Sequence, residues 1–471
     1  MRTRPLYPVR QVSAARRQPR AADRLPFIPA LVVFAVLAPE ALGFIVADFR
    51  LTPARLVFLA LAPVMLVSFS SLLGSARYRF TISDILLPLA TFWSLFALSR
   101  TQGFGDALKS GGVTALEMIS PYLLMRSLLN DVRQVHAIVR LFCILSALVG
   151  PLAIVDTLTN EPILHDSLAR ITGYSYFEGA GLARNLADNY RLGLFRAQGI
   201  FEHPILLGVV MCFALLLTRD LVGPVKKFCR IGCALGLFLS LSSAPWQGFL
   251  AGIGLMLFSR IFGFPHRWMF VVFGAAFAVG SVFMVTSNPW VYIFNYMTLD
   301  ASTGYYRLLI WQYAGTAALE SPLFGIGLLA DWVREDWMGA SIDSYWLVLA
   351  LHYGIPCSIM TGLGLIGACS LAVRQTRANS GQIGPREVKL AETLGILMFL
   401  TVMLGFTVHF WGVSGMLTTL FAGMRAALGE IAAAKASRPI LNEANRLVRA
   451  HTSRIGTVGP IEPRVVEPKF R

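Results

Sequence analysis

Residues 52–99 read TPARLVFLALAPVMLVSFSSLL (52–73), GSARYRFT (74–81) and ISDILLPLATFWSLFALS (82–99): two apolar runs around a short loop carrying Arg77 and Arg79. Crossing about 30 Å of hydrocarbon takes roughly 20 apolar residues in a helix, and the alternating pattern of an outer-membrane strand is missing from these runs. The same rhythm continues in both directions. Helical spans are expected at 27–47, 52–73, 82–99, 111–129, 137–158, 200–218, 228–244, 246–262, 268–287, 344–373, 391–409 and 411–428. The chain has 471 residues, 55% hydrophobic and 14% charged, with a mean hydropathy of +0.62, which is more apolar surface than a soluble domain can hide. The expected fold is therefore all-α: a polytopic helical bundle of about twelve transmembrane helices.

The formal charge of +15 does not point to nucleic acid, because the position of Lys and Arg fixes membrane topology. The basic residues fall on one side of the spans. They include Arg2 to Arg24 in the head, Arg77, Arg79, Arg126, Arg133, Arg140, Arg219, Lys226, Lys227, Arg230, Arg260, Arg267, Arg374 to Lys389, and a tail from Arg425 to Arg471. The long loops 159–203 and 288–342 instead hold four and two arginines against five acidic residues each, so both are read as outward-facing. Both termini then lie in the cytoplasm. The expected domains are a disordered basic head (1–26), a membrane body (27–428) and a cytoplasmic tail (429–471), the first span being a retained anchor that carries Pro39 and Glu40.

Several signals carry little chemistry. Gly362, Gly364 and Gly367 spell GxGxxG, but inside a span they suit close helix packing better than dinucleotide binding. No HExxH, Walker A or acidic metal-nucleotide pair occurs in the outer loops, so neither a metal nor a cofactor is expected. The six cysteines sit in or beside apolar runs without a CxxC pair and read as small core residues. Glu40 and Glu117 lie within spans, where the favoured reading is a bundle-facing carboxyl bonded to a neighbour.

The outer loops are more informative. The first ends Leu194-Phe195-Arg196-Ala197-Gln198-Gly199-Ile200-Phe201-Glu202-His203-Pro204 and leads straight into a span. A helix here would return Arg196 and His203 to nearly one face about 10 Å apart; the competing reading is a snorkelling arginine and a histidine that caps a Pro-started helix. The second loop contains Gly304-Tyr305-Tyr306-Arg307-Leu308-Leu309-Ile310-Trp311 and runs on to Ser321-Pro322, which suggests a short interfacial helix with Arg307 and Trp311 one turn apart. Asp343, Ser344 and Tyr345 then open the tenth span, with Asp343 either a helix cap or a functional carboxylate, and His352 a core histidine about 13 Å deeper. Two arginines, a carboxylate and a histidine at one membrane boundary suit a lipid-linked phosphorylated substrate, since guanidinium forks bind phosphate oxygens bidentately.

At these residues the chain resembles the O-antigen ligase and Wzy-type polysaccharide polymerase superfamily of bacterial inner-membrane proteins. Three patterns carry the resemblance: Arg196, Gly199, His203 and Pro204; Arg307 and Trp311 followed by Ser321 to Gly327; and Asp343, Ser344 and Gly354. It covers roughly residues 30–428 and implies a metal-independent glycosyltransferase using an undecaprenyl-pyrophosphate-linked glycan, with the two long loops periplasmic. By that resemblance Arg196 and Arg307 grip the pyrophosphate, and Asp343 serves as base or orients the acceptor. His203, Trp311, Ser344 and Tyr345 are then expected to contact substrate. The ligases usually carry His-Asn at the third pattern, whereas Asp343-Ser344 looks more like the exopolysaccharide polymerase branch.

The expected function is thus polymerisation of lipid-linked repeat units into exopolysaccharide or O-polysaccharide, with the growing polysaccharide as acceptor and membrane lipid and a chain-length regulator as partners. The alternatives are a ligase transferring glycan to lipid A core or protein, and a secondary transporter or flippase coupled through Glu40 and Glu117.

Overall fold

Apolar runs closed by polar caps become helices throughout the computed structural model, which describes residues 25–46, 49–173, 190–262, 301–339, 341–373 and 383–455, together with Val271, Gly274 and Ser281. Of these, 301–303 and 437–455 are described by backbone alone. The described residues are mostly helical, consistent with an all-α fold. The helices are α1 (Phe27–Leu37), α2 (Pro53–Leu73), α3 (Ser83–Gln102), α4 (Gly112–Leu128), α5 (Val132–Thr159), α6 (Ile163–Thr172), α7 (Pro204–Leu217), α8 (Gly223–Leu239), α9 (Ser243–Ile261), α10 (Ala301–Glu320), α11 (Tyr345–Tyr353), α12 (Ile355–Gly367), α13 (Pro385–Leu404) and α14 (Gly412–Ile455). Two small antiparallel hairpins interrupt them: β1 (Phe44–Val46) with β2 (Phe49–Leu51), and β3 (Tyr190–Arg191) with β4 (Leu194–Phe195).

Helix starts follow from local chemistry. Thr52 accepts the Arg55 backbone N–H at Oγ1 (3.4 Å), Asp131 accepts that of Arg133 (2.8 Å), and Pro53, whose missing N–H would have had no partner, opens α2. Among the described residues two helices, α2 and α5, are long and apolar enough to cross a membrane, each with a mean hydropathy of 2.4 over its most apolar stretch. The expected runs are not all single helices. The run 27–47 ends as helix at Leu37, because Pro39 and Gly43 break it and the apolar Phe44 to Val46 pair with Phe49 to Leu51 as strand. The run 344–373 divides at Gly354, whose φ of +88° no helix accommodates. The boundary expected at 428/429 falls inside α14, where Glu430, Ile431 and Ala432 are still buried. The head and most of the span at 268–287 lie outside the described residues.

Packing is tight where glycines meet. A Cβ on Gly150 of α5 would lie 1.9 Å from the Gly232 carbonyl oxygen of α8, so these two helices cross backbone to backbone. The glycines of the GxGxxG run serve similarly: a Cβ at Gly364 or Gly367 would approach Leu87 or Ile82 of the α3 region to 2.8 Å. One core gathers Val33, Phe58, Tyr122, Phe142, Phe213 and Phe421. A second, smaller one joins Ile310 and Ala314 of α10 to Trp332, Met338, Ile342 and Leu351, which seats α10 beside the start of α11. The six cysteines are free thiols.

Arg126, one of the arginines expected on the cytoplasmic side, is wholly buried. Its Nε and Nη2 donate to the two Asp84 carboxylate oxygens (3.0 and 3.2 Å), Nη1 to Glu430 (2.7 Å) and Nη2 to the Arg79 carbonyl (2.9 Å), while Arg77 also reaches Glu430 (3.2 Å). Tyr122 donates to Asp84 at 2.6 Å. These partners tie the end of α4 to the start of α3 and to the middle of α14.

Candidate active site

At the other end of the bundle the polar residues come from loops. Leu192 (φ +54°) and Gly193 (φ +76°) make the two-residue turn between β3 and β4, which sets Arg191 opposite Leu194 and leads the chain out at Arg196. The segment 196–203 is then not helical, which overturns the expectation that Arg196 and His203 share a helix face. It is fixed instead by backbone bonds: Ala197 N–H donates to Leu239 O (3.0 Å), and the Gln198 and Gly199 N–H groups donate to the Asp156 carboxylate (3.1 and 2.7 Å). A sequence reader sees extended backbone only if these partners are known.

Arg196 is 5% exposed. Its Nη2 donates to Ser242 Oγ (2.8 Å) and its Nε to the Ser240 carbonyl (3.4 Å), while Arg191 Nη1 donates to the Leu241 carbonyl (3.2 Å). Both arginines therefore hold the same three-residue turn between α8 and α9. Arg307 arrives from α10, also 5% exposed, with its Nε 3.8 Å from Asp343 Oδ2; that buried nitrogen makes no hydrogen bond among the described residues. The charges act on one another across the two loops. Burial first, then Arg191 and Arg307, pull the Arg196 guanidinium down to about 9, against the opposing pull of Asp343. Arg307 is lowered too, by burial and by Arg191, again against Asp343. In both shifts burial is the largest cause, with Arg191 adding to it and Asp343 opposing it.

The cap of α11 is Ser344, whose Oγ accepts the Leu347 N–H (3.4 Å) and donates to the Gly405 carbonyl (3.1 Å). Asp343 is thereby relieved of capping and turns its carboxylate, about a third exposed, to Arg307. His203 does cap α7, accepting the Ile205 N–H at Nδ1 (3.1 Å), and its ring meets Trp411 at 5.8 Å between centroids. Trp411 in turn meets His409 (5.4 Å), and His409 stacks on Tyr345 (6.4 Å), so a row of rings joins the two long loops. Trp311 lies one turn along α10 from Arg307. It donates from Nε1 to the Phe406 carbonyl (3.3 Å) and stacks on the Phe406 ring, and so holds the 405–411 loop.

Two of the quoted patterns meet directly. Ile355 N–H donates to the Pro322 carbonyl (2.8 Å) and Ile326 N–H to the Leu351 carbonyl (2.7 Å), so the Ser321 to Gly327 turn lies against the α11–α12 break. His352 binds the Gly327 carbonyl through Nδ1 (2.7 Å), a structural task.

The structure thus gathers Arg196, Arg307 and Asp343, with His203 and Tyr345 beside them through the ring row. Sequence reading missed Arg191, Ser240, Ser242, His409 and Trp411. Two signals were available: the Ser-rich Leu239-Ser240-Leu241-Ser242-Ser243 between two spans, and the aromatic Phe406-Thr407-Val408-His409-Phe410-Trp411 between two others. Glu40 and Glu117 are both ion-paired, with Arg50 (3.7 Å) and Arg55 (2.7 Å); Arg50 also binds Glu202 (3.0 Å), next to His203. An apolar cleft lined by Leu216, Leu237, Trp246 and Phe249 shares no residue with the arginine cluster. Among the described residues no group of three or more His, Cys, Asp or Glu is arranged to hold a metal. No protein-family model matches the chain, and no curated protein matches it.

Proposed function

We propose that the chain is an integral membrane glycosyltransferase that polymerises undecaprenyl-pyrophosphate-linked oligosaccharide repeat units on the periplasmic face of a bacterial inner membrane. The observation that carries this reading is the convergence of Arg196, Arg307 and Asp343 from two separate loops, both arginines buried and Asp343 the carboxylate whose charge acts on each. Fixed guanidinium groups stabilise a departing pyrophosphate most where water is excluded, because their field is little screened there. Asp343 stands beside them as the group that takes the proton from the attacking sugar hydroxyl. About twelve spans with both termini cytoplasmic, as the charge pattern suggests, would put this end of the bundle in the periplasm. A transporter reading has less support, since Glu40 and Glu117 are already paired with arginines rather than poised at mid-membrane.

The test is substitution in cells. Arg196→Ala, Arg307→Ala and Asp343→Asn should each leave the protein in the membrane and lower polymer beyond one repeat unit by about a hundredfold. Wild-type polymer from all three would sink the reading. A deletion that accumulates long lipid-linked chains instead of single units would assign the same chemistry to a ligase.

A further inference from the structure

Taking the glycosyl-transfer reading as its basis, we infer that Arg191 is a third diphosphate-binding residue, and that Arg191, Arg196, Arg307 and Asp343 form one site matched in charge to a pyrophosphate diester. Arg191 and Arg196 grip consecutive groups of the 240–242 turn, Leu241 O for one and Ser240 O and Ser242 Oγ for the other, which sets them side by side. Arg191 is near enough to Arg196, Arg307 and His203 for its charge to act on each of them. Asp343 is the one carboxylate, among the described residues, that acts on both Arg196 and Arg307.

Among the described residues, three guanidinium groups against one carboxylate leave two positive charges uncompensated, and two of the three arginines are nine-tenths buried or more. Holding unpaired cations away from water is costly, and an anion of two charges removes the cost. A pyrophosphate esterified at both ends carries two negative charges at neutral pH. The match extends through the reaction. The bond from the anomeric carbon to the phosphate oxygen breaks with its electron pair on that oxygen, the acceptor oxygen bonds to the anomeric carbon, and the hydroxyl proton passes to Asp343. The leaving pyrophosphate monoester then has three negative charges. Protonated Asp343 no longer offsets Arg307, so three guanidinium charges face three on the leaving group. Summed over these four side chains and the substrate, the charge is zero before and after transfer.

The alternative role for Arg191 is purely structural, pinning the turn through Leu241. Pyrophosphate titrated into the purified full chain in nanodiscs separates the two. Arg191→Gln, and Arg191→Met measured alongside because it keeps the apolar stem, should each weaken inorganic pyrophosphate binding about tenfold and flatten its salt dependence, as should R196Q and R307Q. Asp343→Asn removes the opposing charge and should tighten binding about fivefold. Affinity for R191Q and R191M within about twofold of wild type, with R196Q and R307Q still impaired, would overturn the role of Arg191 and leave the glycosyl-transfer reading standing. Wild-type protein that does not bind pyrophosphate would overturn the charge-matched site, while the polymer assay above judges the transfer reading separately.

Discussion

Ser242 shows how a site arginine is aimed by a residue that need never touch substrate. Its hydroxyl holds Arg196 Nη2 at 2.8 Å, and the same hydroxyl donates to the Ser240 carbonyl (3.0 Å), which Arg196 Nε also reaches. Ser242→Ala removes one hydrogen bond to a charged group, so stability should fall by about 1–3 kcal/mol at most. The guanidinium would then be free to swing, and a small misplacement costs disproportionately in rate; repeat-unit transfer should drop about tenfold, with the amount of folded protein unchanged by size-exclusion chromatography. An unaltered transfer rate would show that the Ser240 carbonyl alone suffices. The sequence left Asp343 a candidate for both capping and chemistry, and the structure divides the two tasks: the Ser344 hydroxyl caps the helix, and the Asp343 carboxylate faces Arg307.

At the scale of elements, the break between α11 and α12 governs how α10 meets the site. Gly354 has a left-handed φ of +88°, and a Cβ there would lie 1.9 Å from the Leu323 carbonyl oxygen. The turn that follows α10 is thereby drawn against α11, at whose start Asp343 sits. Gly354→Ala combines backbone strain with a clash against a main-chain atom that cannot swing aside, and should cost about 2–4 kcal/mol, seen as a lower thermal midpoint in detergent. Pyrophosphate affinity should weaken as well, because Arg307 and Asp343 are positioned by the two sides of this junction. A midpoint equal to wild type would mean that α12 can slide on α3 to make room. The break could not be read from hydropathy, since Leu347 to Gly367 is predominantly apolar and is divided by the φ requirement at Gly354 together with Pro356 in the first turn of α12. Hydropathy likewise overran the end of α1, which Pro39 marks, because Phe44, Ile45 and Val46 are as apolar as a span yet pair as strand.

Over the whole molecule, the two ends of the bundle do different work. Glu430 lies eighteen residues down α14 from Gly412, about 27 Å at helical rise, so the Arg126 cluster is remote from the arginine site. The Arg126 cluster is balanced: each nitrogen of that guanidinium has a carboxylate or carbonyl acceptor, and Asp84 also accepts from Thr81 N–H (2.9 Å) and Tyr122. Arg126→Met would leave Asp84 and Glu430 buried without their cation and should destabilise the protein by about 3–5 kcal/mol. Adding Asp84→Asn and Glu430→Gln should recover much of that loss in the same thermal unfolding assay; no recovery would show that packing, and not charge, dominates at Arg126. At the other end the buried Arg307 Nε makes no hydrogen bond among the described residues, in contrast to the satisfied Arg126 guanidinium.

The sequence by itself determined that the chain is helical and strongly apolar, and that arginines and carboxylates stand apart in two long loops, because hydropathy and charge are sums over neighbouring residues. Arg196, Arg307 and Asp343 could be picked out for that reason. Only the tertiary structure decided that Arg191 joins them, that Ser240 and Ser242 aim Arg196, and that Arg126 is locked in the core. Each of those depends on groups 40 or more positions apart in the chain, and the meeting of such groups is set by which helix ends pack together, a property that no local stretch of residues carries.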